Sequence, residues 1–106
     1  MAKFLIEADF TSGESLKAVK KQGAVSREAA VKTAVESAGG KLECLYLALG
    51  DRDIVAIADL PDTASAVALA ATVSASGYFK TRTTPLLTMA EADKAFAMKV
   101  DYKPPG

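Results

Sequence analysis

LECLYLALGDRDIVAIADLPD, residues 42–62, is the stretch whose reading decides the fold. Two apolar runs, 42–49 and 54–60, flank the polar turn Gly50-Asp51-Arg52-Asp53, and a Pro-Asp helix start follows. Short apolar runs joined by a Gly/Asp turn predict a β-hairpin feeding a helix, the centre of a ββα unit. Both runs are apolar on both side-chain phases: Leu42, Cys44, Tyr46 and Ala48 alternate with Leu45, Leu47 and Leu49. A sheet built from such strands must be covered on both faces.

Working outward, residues 3–10 alternate as a strand, with Phe4, Ile6, Ala8 and Phe10 on one phase and Leu5, Glu7 and Asp9 on the other. Thr11-Ser12-Gly13-Glu14 carries a T-x-x-E capping pattern and opens a helical region to Ala38. Gly23 and Ser26 interrupt that region, with Ser26 expected to cap its second part, and Gly39-Gly40 ends it. After the hairpin, an alanine-rich helix runs from Pro61-Asp62 to about Ser76, and Gly77 stops it. Residues 78–84 form a fourth strand, which Pro85 ends or confines to an edge. Thr88-Met89-Ala90-Glu91 is a second capping box; it opens a helix with Met89, Ala92, Phe96 and Val100 on one face.

The order β-α-β-β-α-β-α places the chain in the α+β class, as a ferredoxin-like βαββαβ fold with an extra C-terminal helix. Residues 1–106 are expected to form one domain, with 101–106 a frayed tail. Both main helices lie on one face of a four-stranded antiparallel sheet. Each large aliphatic side chain left in water on the other face forgoes roughly 1.5–3 kcal/mol. Only the last helix or a second subunit can cover it, so a sheet-mediated homodimer is expected; a sheet interface filled by Leu45, Leu47 and Leu49 would favour a structural module.

Composition narrows the function. Thirteen basic residues balance thirteen acidic ones, which argues against a nucleic-acid or anionic-membrane partner held by bulk electrostatics. No apolar run is long enough for a bilayer, and MAKFLIEADF lacks signal-peptide character, so a cytoplasmic location is the default. Cys44 is alone, which excludes an intrachain disulfide. There is no histidine. That excludes a Ser-His-Asp triad, a histidine zinc site and histidine-ligated haem within the chain, and no cofactor or metal is expected.

The chain resembles the GYD domain family from Lys3 to about Ala97. The resemblance rests on VESAGGKLECLYLALGDRDIVAIADLPD, residues 35–62, and VSASGYFKTRTTPLLT, residues 73–88. The family's Gly-x-Tyr-Asp-like turn is here Gly50-Asp51-Arg52-Asp53, with arginine in place of tyrosine. The family is similar to the dimeric α/β-barrel superfamily, which packs two ferredoxin-like sheets face to face. That superfamily includes cofactor-free monooxygenases, isomerases, haem-dependent enzymes and small-molecule sensors, and fold alone does not choose among them.

Several side chains are candidates for binding a small organic ligand. Arg52 and Asp53, at the hairpin end, would anchor a polar ligand; turn chemistry is the stronger explanation, with Gly50 supplying the unusual backbone angles of the reversal, Asp53 bonding local amides and Arg52 solvated. Glu7 and Asp9 are acid/base candidates if their phase faces an interior; otherwise they pair with Arg82 and Lys80 on the neighbouring fourth strand. Tyr46 and Tyr78 offer phenolic donors, or are simply buried tyrosines. Cys44 reads as a small core residue, and Ser74, Ser76 and Gly77 as helix-end chemistry. Lys17, Lys20, Lys21, Arg27 and Lys32 read as a solvated basic face.

Three functions compete: an oligomeric ligand-binding or assembly module, a cofactor-independent enzyme (monooxygenase-like or isomerase-like), and a haem enzyme with a non-histidine ligand. A cavity of roughly 300 Å³ or more with converging polar groups favours an enzyme or sensor.

Overall fold

The computed structural model describes residues 1–106. The elements are β1 (Ala2–Phe10), α1 (Gly13–Gln22), α2 (Ala24–Ser37), β2 (Lys41–Leu47), β3 (Ile54–Leu60), α3 (Thr63–Ala75), β4 (Phe79–Leu86) and α4 (Met89–Ala97). The strands form one antiparallel sheet in the order β2-β3-β1-β4, the ferredoxin-like arrangement. Pro85 sits opposite Phe4 within β4; this is tolerated because β4 is an edge strand with no partner on its far side.

One face of the sheet is closed. Phe4, Ala58 and Leu60 pack against Val35 of α2 and Ala66 of α3, with Ile6, Val31, Leu42 and Leu69 around them. Ala66 of α3 is buried in this contact with Ala70 beside it, small side chains that let the helix lie close on the strands, while Ala64, Ala68, Ala71 and Ala75 are exposed. Gly40, entering β2, is required by the same closeness. A Cβ there would overlap the Asp59 carbonyl oxygen and Leu60 Cδ2.

The phases of the hairpin, open in the sequence, are set by a bulge. Leu42 sits opposite Ala58, but Cys44 sits opposite Ile57, so pairing shifts by one residue across Glu43. Leu42 and Leu45 therefore both face the helices, while Cys44 and Tyr46 share the open face with Ile57 and Val55. Leu45 thus does not fill an interface between sheets.

Local chemistry differs from the expectation at four points. The N-cap of α1 is Ser12, not Thr11; Thr11 Oγ1 instead donates to the Gly77 carbonyl oxygen at 2.6 Å, tying β1 to the start of β4. The break between α1 and α2 falls at Gly23, with φ 95°, and Ser26 lies inside α2. In the 48–53 loop the left-handed residue is Leu49, with φ 54°, rather than Gly50. Val100 lies beyond α4, whose Thr88–Glu91 capping box forms as expected.

The other face of the sheet is open. Its middle rows are Tyr46, Val55, Glu7, Arg82 and then Cys44, Ile57, Leu5, Thr84. Helix α4 does not lie over them and has no substantial contact with any element. Phe96 is 84% and Met89 80% exposed. The radius of gyration is 16.4 Å, against about 13 Å for a compact chain of this length. The exposed surface is 7429 Å², about 1,800 Å² above the roughly 5,600 Å² expected of a compact monomer of this mass.

Candidate functional site

The polar candidates gather at the hairpin end of the open face. The 48–53 loop closes when the Ala48 and Leu49 amides donate to the Asp53 carbonyl oxygen, at 2.7 and 3.4 Å. Asp53 then links the loop to β1. Its Oδ2 accepts from the Phe10 amide at 2.9 Å, and its own amide donates to Asp9 Oδ1 at 3.2 Å. These bonds span more than forty residues of chain, so Asp53 does more than cap its own turn.

Arg52 is not solvated. Its side chain is 27% exposed and lies over the end of β1, with Nε 3.4 Å from Glu7 Oε2 and Nη1 3.6 Å from Asp9 Oδ2. Nη1 also donates to the Asp51 carbonyl oxygen at 3.0 Å. The register does set Glu7 opposite Arg82 and Asp9 opposite Lys80. The acids nevertheless pair with Arg52, whose approach from the loop reaches both at once. Glu7, Asp9, Arg52 and Asp53 thus form one cluster in which Arg52 is shared by Glu7 and Asp9, and Asp53 is held by backbone.

The remaining candidates do not join it. Tyr46 stands on edge strand β2, 68% exposed, and Tyr78 precedes β4, 51% exposed. Neither is a buried tyrosine, and neither makes a side-chain hydrogen bond to the cluster. Arg82 is exposed and forms no ion pair. No three Cys, Asp or Glu side chains converge as metal ligands do. The opposite end of the open face carries a second cluster, in which Lys3 Nζ lies 2.6 Å from Glu43 Oε1 and 3.2 Å from Asp59 Oδ1. The hydrogen bond to Glu43, then that to Asp59, raises the lysine pKa above its ordinary value. An apolar band of Leu5, Ile57, Val55 and Cys44 therefore lies between two clusters of charge.

Behind the sheet is a different environment. A cavity of about 70 Å³ lies between the strands and helices α2 and α3, with fourteen hydrophobic residues among its seventeen. That is well below the roughly 300 Å³ from which drug-sized pockets start. Arg27 of α2 lies on its wall, with its guanidinium carbon 5.3 Å from the centre of the Phe79 ring. Reading Arg27 as part of a solvated basic face was wrong, and a signal for its true place exists. Arg27, Val31, Ala34, Val35 and Ala38 repeat at i, i+4, i+7, i+8 and i+11, which is the buried stripe of α2.

The open sheet backed by helices on one side defines an α+β domain of the ferredoxin-like class. The family model for the GYD domain matches residues 4–96, and the chain belongs to the GYD domain family. Comparison with curated proteins and with solved structures returned no match. No helix is long and apolar enough to cross a membrane.

Proposed function

We propose that this chain is a non-catalytic, self-associating module in which two copies pack their open sheet faces together, as in a dimeric α/β barrel, each clasping the other with α4. The observation that carries this reading is the detachment of α4, which leaves two apolar surfaces of one chain uncovered at once. The occupant is a second copy because the surplus surface matches the need. About 1,800 Å² beyond a compact monomer exceeds the ~800 Å² that each partner gives to a standard interface. The apolar band supplies the centre of such an interface, and the Arg52 and Lys3 clusters its polar rim. The non-catalytic reading rests on the same clusters: Arg52 is engaged by Glu7 and Asp9, and Asp53 by backbone.

Light scattering after size exclusion tests this on two variants, Ile57→Asp on the sheet and Phe96→Asp on α4, with circular dichroism reporting the fold. Both are expected to run at monomer mass with the fold intact, while the wild type runs at twice that mass. Variants that keep the mass of the wild type would overturn the reading.

A further inference from the structure

We infer that the cavity between α2, α3 and the sheet is a binding site for a compact apolar monocarboxylate, with Arg27 as the residue that selects the anion. Arg27 Nε is buried and has no hydrogen-bond partner, and no carboxylate forms an ion pair with this side chain. A guanidinium has five donors and is always charged. The side chain as a whole is half-buried, and the buried Nε, held against apolar walls without an acceptor, is the part that carries a cost. The Phe79 ring beneath it offsets part of that cost through a cation–π contact and leaves the donors at the guanidinium edge free.

The cavity supplies the other half of the recognition. Its polar wall groups besides Arg27 are Thr81 and Thr83, and the Thr81 hydroxyl is already shared with Ser74 at 3.0 Å. A ligand that fits must therefore present carbon to the interior and one negative group to Arg27. The volume of about 70 Å³ sets the size: it takes the branched alkyl end of a short-chain acid and no aromatic ring, since a cavity that holds benzene measures about 150 Å³. Arg27 also lines a second, open depression of about 220 Å³ beside Val25, Val31 and Leu47. The guanidinium thus stands where a ligand enters, with its carboxylate toward solvent and its apolar body inside. Glu28 borders that mouth as the one nearby acid, which disfavours dianions. The site lies on the closed side of the sheet, so it is independent of self-association through the open face.

The test is titration at pH 7 with isobutyrate and isovalerate, and with neutral isovaleramide as control, followed by amide chemical shifts of the whole chain. Saturable shifts are expected at Val31, Leu45 and Phe79 with both acids, with isovaleramide at least tenfold weaker. Arg27→Met should weaken the acids at least tenfold and bring them level with isovaleramide. Should that variant fail to fold, Ala70→Leu serves instead: it fills the cavity, leaves Arg27 in place and is expected to abolish the shifts. Equal binding of acid and amide, shifts elsewhere on the surface, or no saturation by tens of millimolar would each overturn the assignment.

Discussion

The two faces of this sheet are built from the same four strands and treat the same kind of residue in opposite ways. On the closed face Phe4, Ala58 and Leu60 are buried by α2 and α3. On the open face Leu5, Val55 and Ile57, their neighbours on the same strands, are only half-buried, with no helix packed over them. The closed face holds the chain together; the open face is the one proposed to assemble. Substitutions should therefore separate stability from association according to which way a side chain points.

The sharpest form of that contrast is Leu60→Ala against Ile57→Ser. Leu60 is fully buried, and truncating such a leucine costs about 2–5 kcal/mol. Urea unfolding under dissociating conditions is expected to show that loss for Leu60→Ala and well under half of it for Ile57→Ser. Equal losses would mean the two faces are not distinct.

Next in size is the loop that ties the hairpin to β1. Asp53→Ala leaves the Phe10 amide without its acceptor and should cost about 1–3 kcal/mol. Arg52→Ala should cost less, because its two ion pairs are long and partly exposed. Thermal melts that rank them the other way would assign the loop's anchoring to Arg52.

Leu49→Gly acts in the opposite direction. With φ 54° and a half-exposed side chain, Leu49 holds a left-handed backbone that costs a non-glycine residue roughly 1 kcal/mol. The glycine variant should be more stable by about 0.5–1 kcal/mol. A measured loss would show that the leucine side chain is buried in the assembled protein.

The smallest effect is at the helix starts and depends on pH. Hydrogen bonds from the Ser65 amide and hydroxyl lower the Asp62 pKa below 3.8, and those from Thr88 lower the Glu91 pKa below 4.5. Their stabilisation is fully present above those ordinary values and is lost as pH falls through the lowered ones. Asp62→Asn and Glu91→Gln should lower the neutral plateau of a melting-temperature profile slightly and meet the wild type at its acid end, so that the acid limb flattens.

Much of this architecture was legible from residue patterns. Alternation in β1, the Thr88–Glu91 box, Gly77 and Pro85 each act locally, and each fixed its element. The hairpin's phases were not legible because it is apolar on both, and one bulge at Glu43 decides which leucines face the helices. The partners of Glu7 and Asp9 were misread because cross-strand register favours Arg82 and Lys80, whereas a loop arginine reaches farther. Arg27 was missed because its charge outweighed its place in the buried stripe. The outward path of α4 follows from no local signal, since its amphipathic pattern says that it needs a partner and not where the partner is.

Sedimentation equilibrium of the wild-type chain, diluted through the micromolar range, tests the central claim most directly. Two copies joined through the open faces and α4 predict a single species of twice the 11.0 kDa chain mass that dissociates only at the lowest concentrations. A homogeneous monomer across the whole range, with α4 folded back over Leu5 and Ile57, would contradict it.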